Sequence, residues 1–256
     1  MSEGRIPSFL GILLLITEVV VGILLIQNKN LSDLALKNVS TPKDVRVSNI
    51  TDSSISISWI TDKKTVGHVK WGKNVNSLKN IPSTTGFSKS YVHVVTISGL
   101  EPKSDYYYEI ISSGFEFTNN NLPWKVTSGS RIESIVESVV LSGRVVDSTG
   151  LPAENALVFL NVDGSSPIST STDKNGVWSI NIAAAKTPTL EKPAQIEVGK
   201  TSIEIYIQAG LHGVSYGSTT LGNNYIVPPM TLGKVYIFNS SDYEGLDIIP
   251  SAEIKP

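Results

Sequence analysis

The side chains that could carry chemistry are few and far apart in this 256-residue chain. It has three histidines, His68, His93 and His212, and no cysteine. A thiolate nucleophile, a thiolate metal site, a disulfide and a lipid-modified cysteine are therefore all excluded. No Ser-His-Asp set, phosphate-binding glycine loop or carboxylate pair stands out. Asp147, Asp163 and Asp173 invite a calcium reading, but the acidic and glycine spacing of a calcium loop is not met. Each also sits in a turn or beside a glycine, where an aspartate caps backbone N–H groups, and that reading is favoured. The expectation is a non-enzyme with no cofactor and no metal.

Two features point to binding instead. Trp71 and Trp124, if exposed together, would stack on a sugar or peptide; packing within a sheet is the favoured reading for both. Tyr216 and Tyr225 are further candidates for such a platform. Glu18 lies inside an apolar run, where a carboxyl costs roughly 2.5–3.5 kcal/mol on insertion scales. It is either tolerated in protonated form or contacts a partner helix.

That run, Phe9 to Ile26, is the most distinctive segment of the sequence. Its length suits a helix crossing a bilayer core. It ends in Leu25-Ile26-Gln27-Asn28-Lys29, without the small-residue cleavage site of a signal peptide, so an uncleaved anchor is expected. The Lys and Arg bias across it is weak. An outward-facing body is expected because the preceding tail is tiny. The net charge of −2, with no basic block, argues against nucleic acid as a partner. The expected partners are the membrane, through residues 9–26, and an envelope glycan or protein ligand, with the oligomeric state open.

The remainder must position any site, and it reads as short strands and polar turns. Ile55-Ser56-Ile57-Ser58-Trp59 alternates strictly, which places Ile55, Ile57 and Trp59 on one buried face. Val45–Val47, Val66–Gly72, Val92–Ser98 and Tyr106–Ser112 are further strands, with His93 packed in one of them. In the second half Ala156, Val158, Leu160 and Val162 alternate against Leu157, Phe159 and Asn161. Ser169 to Ile180 reads as a hairpin turning at Asn175-Gly176. Strands are also expected at 203–207 and 225–227. Ala183 to Lys200 reads as an exposed insertion.

The predicted fold is all-β: two tandem antiparallel β-sandwiches after one N-terminal transmembrane helix. The expected divisions are a tail and helix over 1–29, a stalk over 30–40 and a first sandwich over 41–130. A linker follows over 131–138, then a second sandwich over 139–239 and a tail over 240–256. Each sandwich would be a rigid module roughly 35–40 Å long.

Two resemblances sharpen this. PKDVRVSNITDSSISISWITD and LEPKSDYYYEI resemble a fibronectin type III domain. Trp59 holds the core position, Leu100, Pro102 and Tyr106 hold the L-x-P-x-x-x-Y signature, and Tyr106 is the implied tyrosine corner. Val69 to Gly72 and the stretch from His93 are similar to the version that precedes the catalytic domain of purple acid phosphatases. In those enzymes the metals lie in a separate domain, so the resemblance implies no activity here. The second half resembles the carboxypeptidase regulatory-like family, a transthyretin-like sandwich. That resemblance rests on Gly143, Val145, Asp147, Gly150 and Pro152, on Ala156 and Val158, and on Thr172, Asp173, Gly176 and Trp178. The combination implies a bacterial surface protein acting as scaffold, spacer or adhesion module. The alternatives are a carbohydrate- or other ligand-binding module and an accessory subunit of a membrane complex.

Overall fold

Alternating apolar residues in the first half produce the strands β1 (Lys43–Ser48), β2 (Ser54–Thr65), β3 (Gly67–Gly72) and β4 (Lys79–Ile81). They continue with β5 (Ser90–Ser98), β6 (Asp105–Ser112), β7 (Phe115–Phe117) and β8 (Trp124–Thr127). The computed structural model describes residues 40–81, 88–132, 137–222 and 225–238. The apolar run with Glu18, most of the stalk, residues 133–136 of the linker and the tail lie outside these. Among the described residues no helix is long and apolar enough to cross a membrane.

The first half folds into two sheets, β1-β2-β5 and β4-β3-β6-β7, with β8 also pairing β6. Ile55, Ile57, Trp59, Val69 and Ile110 are fully buried between them. The Trp59 ring stacks on His93, with centroids 5.0 Å apart. Gly67 makes room for that stack, since a Cβ there would lie 2.5 Å from the Trp59 ring. The Tyr106 hydroxyl accepts a hydrogen bond from the backbone N–H of Glu101 at 2.8 Å, which closes the corner into β6. Leu100 is buried beneath it and Pro102 is exposed.

The second half supplies β9 (Val140–Val146), β10 (Leu157–Val162), β11 (Ile168–Ser171) and β12 (Val177–Asn181). It adds β13 (Ser202–Gln208), β14 (Val214–Thr220), β15 (Met230–Thr231) and β16 (Val235–Ile237). A five-stranded sheet, β11-β10-β13-β14-β16, faces a three-stranded one, β12-β9-β15. Trp178 on β12 lies opposite Gly143 on β9. A Cβ at Gly143 would come within 2.8 Å of the indole, so glycine lets the ring lie flat across the strand. Gly176 has φ +75, and a Cβ there would sit 2.3 Å from the Val145 carbonyl.

One local expectation is corrected and one refined. Ser169 to Ile180 is not a hairpin: β11 pairs β10, whereas β12 pairs β9 in the other sheet. The turn at Asp173 to Gly176 is an arch between sheets, held by Asp173 Oδ1, which accepts from the N–H groups of Asn175 and Val177 at 2.8 Å each. The insertion is exposed over much of its length, as at Thr189, Glu191 and Glu197 to Lys200, but it is anchored. Ala183, Ala185 and Ala194 are buried, and Leu190 O accepts a bond from the Ser130 N–H. Its small residues let it pack down between the second core and the end of the first sandwich.

The described residues belong to one compact unit that begins at Ser40. Both faces of β2 and of β10 are therefore largely covered. Ser56 and Ser58, which alternate like solvent-facing residues, are 5% and 1% exposed. Leu157 and Phe159 are buried on the face of β10 opposite Val158 and Leu160. The small serines allow the sheet β1-β2-β5 to lie close to the second sandwich.

Candidate binding groove between the sandwiches

The contact between the sandwiches is polar at one end and aromatic at the other. At the polar end, β11 is the outer strand of its sheet, and its Ser169 would have an unpaired backbone edge. The Asn49 side chain occupies that edge. Its Oδ1 accepts from the Ser169 N–H at 2.8 Å, and its Nδ2 donates to the Ser169 carbonyl at 3.0 Å. The amide thus imitates a neighbouring strand. The Asn49 N–H donates to the Pro167 carbonyl at 3.0 Å, and the Ser48 and Ser169 hydroxyls share a bond of 2.7 Å. Asn49 has φ +52, a left-handed conformation that asparagine tolerates better than most residues.

At the aromatic end, Asp44 and Arg46 of β1 reach onto β13. The Tyr206 hydroxyl donates to Asp44 Oδ2 at 2.8 Å, and Gln208 donates to the same oxygen at 3.2 Å. Arg46 Nε donates to Asp44 Oδ1 at 2.7 Å. Its guanidinium lies 4.1 Å from the Tyr206 centroid and 5.3 Å from that of Phe159. Burial pushes the Asp44 carboxyl up, but the hydrogen bonds from Tyr206, Gln208 and Arg46 outweigh it and hold its pKa below the ordinary value. Burial, with the Asp44 carboxylate beside it, pushes the Tyr206 phenol up.

Beyond this cluster the sheet face opens into a groove of about 740 Å³, walled on one side by Arg46, Val47 and Pro167. The strand register organises its floor into two rows. Phe159, Tyr206, Tyr216 and Val235 are successive cross-strand partners. Asn161, Glu204, Ser218 and Ile237 form the next row. The aromatic row runs from Phe159, covered by Arg46, to Tyr216, which is 50% exposed, and Val235, which is 75% exposed. The Tyr206 and Tyr216 rings are 4.9 Å apart. In the polar row Asn161 Nδ2 donates to Glu204 Oε2 at 3.1 Å. Among the described residues the Tyr216 and Ser218 side-chain hydroxyls make no hydrogen bond within the chain.

Trp71 and Trp124 lie elsewhere, in the first sandwich. Trp71, Tyr108 and Trp124 are cross-strand partners in one row, so they share a face. That face is the interior one: Tyr108 is 2% exposed and its ring stacks on Trp124 at 5.5 Å. Trp71 packs edge-on against Tyr106 at 5.6 Å, and its indole N–H is buried without a partner among the described residues. The two tryptophans are partly buried and pack against the core of the first sandwich. Of the other named aromatics, Tyr216 lies in the groove, and Tyr225 adjoins β9, where its carbonyl accepts from the Ser142 N–H. The groove itself escaped the sequence because Arg46 and Tyr206 belong to different modules.

Asp147, like Asp173, is a turn residue. Its Oδ1 accepts from the Thr149 hydroxyl and from the N–H groups of Thr149 and Leu151. The Thr149 hydroxyl is the leading cause that holds its pKa below the usual carboxylate value. Among the described residues no group of three or more His, Asp or Glu side chains could hold a metal ion.

Residues 42–127 match the family model described as the N-terminal domain of purple acid phosphatases. No curated protein matches the chain. Among solved structures, the chain is similar to the FN1–FN3 domains of chicken CNTN1, at 10% identity and a TM-score of 0.27, covering 74% of this chain and 66% of that one. It is also similar to the central fibronectin-III array of RIM-binding protein, at 17% identity and a TM-score of 0.24, covering 67% of this chain and 59% of that one. The chain thus spans less than two thirds of either array. The first sandwich is thus similar to the fibronectin type III-like N-terminal domain of the phosphatases, and the match covers residues 42–127 alone.

Proposed function

We propose that the chain is a non-enzymatic surface protein in which an N-terminal helix over residues 9–26 holds a two-sandwich body outside the cell membrane. The body acts as a scaffold or adhesion unit. The observation that carries this is the interface between the sandwiches. Asn49 completes the edge of β11, and Asp44 and Arg46 clasp Tyr206, so that the body is one block and not two beads on a string. A single block holds a recognition surface at a fixed distance and angle from its tether. Fibronectin type III-like domains commonly serve such extracellular roles. The carboxypeptidase regulatory-like pattern of the second half, with Gly143 under Trp178 and Gly176 at the arch, agrees with this use. The test is protease treatment of intact cells, with the membrane fraction blotted for both chain ends. Loss of the body with a small anchored stub surviving supports the reading; a body protected until lysis contradicts it.

A second reading, a ligand-binding module, is favoured by one specific observation: the open groove that ends on Tyr216.

A further inference from the structure

We propose that this groove is a binding site for a neutral glycan, with one pyranose ring stacked on Tyr216 and its hydroxyls bonded to Glu204, Asn161 and Ser218. The inference deepens the ligand-binding reading and rests on it.

Size comes first. The volume of about 740 Å³ lies within the range of small-ligand sites, about 300–1,000 Å³. The arrangement of the floor then selects the ligand. Residues two apart on a strand are about 7 Å apart, so the aromatic row and the polar row are separated by about the width of one sugar ring with its substituents. A pyranose has an apolar C–H face and a rim of hydroxyls, and both rows are used at once when the face rests on Tyr216. Tyr216 is itself braced by Tyr206, which Arg46 and Asp44 hold in place. The platform is therefore built before the ligand arrives, which lowers the ordering cost of binding.

Other occupants fit less well. An extended peptide gains most of its affinity from the backbone of an open sheet edge. Here β13 and β14 have neighbours on both sides, so their backbones are already paired, and β16, the outer strand, offers an edge of only three residues. A wholly apolar partner would bury Glu204, Asn161 and Ser218 without new hydrogen bonds, which is costly. Charge points the same way. The groove holds one cation, Arg46, already paired with Asp44, and one anion, Glu204, already bonded to Asn161. Among the described residues no unpaired cation in the groove calls for an anionic ligand, and the Glu204 carboxylate, which has no cation against it, can accept from sugar hydroxyls.

The experiment uses the full chain in lipid nanodiscs, which avoids sugar-headed detergents. It is presented to immobilised neutral tetrasaccharides of glucose and of N-acetylglucosamine, with sialylated and sulfated glycans as charged comparators, and hits are titrated by calorimetry. The expected result is binding to a neutral glycan that weakens about tenfold in Tyr216→Ala, the loss typical of a central aromatic anchor. Tyr216→Trp keeps the affinity, and Leu122→Ser, exposed on the first sandwich, leaves it unchanged. Neutral-glycan binding that is unaltered in Tyr216→Ala overturns the site while leaving the binding reading intact. Absence of any neutral-glycan binding, or binding of charged glycans alone, overturns the inference. So does self-association through this face that Val235→Ser abolishes while no glycan binds. Protease treatment of cells is independent of all these outcomes, so a wrong site and a wrong location are told apart.

Discussion

Replacing Asn49 should uncouple the two sandwiches, and the structure says by how much. The side chain makes two hydrogen bonds to the Ser169 backbone, at 2.8 and 3.0 Å. Each such bond is worth about 0.5–1.5 kcal/mol net when water can replace the lost partner, as it can at this part-buried edge. Loss of both therefore costs about 1–3 kcal/mol. The backbone adds a second effect, because φ +52 suits glycine and penalises alanine by about 1–2 kcal/mol. Asn49→Gly should thus destabilise the chain by about 1–3 kcal/mol, and Asn49→Ala by about 1–2 kcal/mol more. The gap between the two variants isolates backbone strain; the glycine value isolates the clamp. The assay is urea unfolding of both variants, with hydrogen exchange of the Ser169 amide followed by mass spectrometry. That amide should exchange faster in both variants while those of β13 stay protected. If Asn49→Gly leaves both stability and Ser169 exchange unchanged, the clamp does not join the sandwiches and the single-block argument fails.

Three further outcomes follow from the geometry. Burial pushes the His93 pKa down to about 4, from an ordinary value of about 6.5. The unfolded chain therefore takes up a proton that the folded chain refuses, so the stabilisation is complete above about pH 6.5 and is lost as pH falls towards 4, by up to about 3 kcal/mol. Urea midpoints measured across that window should fall, and His93→Gln should flatten the fall; an identical slope in the variant would count against the buried neutral imidazole. Gly143→Ala should cost about 1–3 kcal/mol, the usual penalty for overpacking, because its Cβ would meet the Trp178 ring; an unshifted unfolding curve would show that the indole is free to move. Tyr106→Phe should cost about 1 kcal/mol by removing the bond to the Glu101 N–H, read by thermal unfolding, and no loss would mean that the corner is held by packing alone.

How far the sequence carries this account depends on whether an element can be judged within one module. Ile55, Ile57 and Trp59 alternate, and their burial follows from the pleat alone. The same holds for Gly143 opposite Trp178 and for the aspartate turns, whose partners lie within a few residues or one strand. Ser56 and Ser58 were not legible, because small polar residues read as solvent-facing until another sheet covers them. Trp71 and Trp124 depended on register: Tyr108 sits between them as a shared partner, and register sets which face a side chain occupies. The groove was furthest out of reach. Phe159, Tyr206, Tyr216 and Val235 are dispersed through the chain and become a row only when β10, β13, β14 and β16 align, and its wall comes from β1.

The most direct test of an outward-facing body with an open groove exploits the absence of cysteine from the chain. In Tyr216→Cys the new thiol is unique and lies where the ring is 50% exposed. Intact cells are treated with a membrane-impermeant maleimide, and the purified chain is examined for the added mass. The account predicts labelling before lysis, as fast as at an engineered surface cysteine at Leu122. Labelling only after the cells are broken would contradict it.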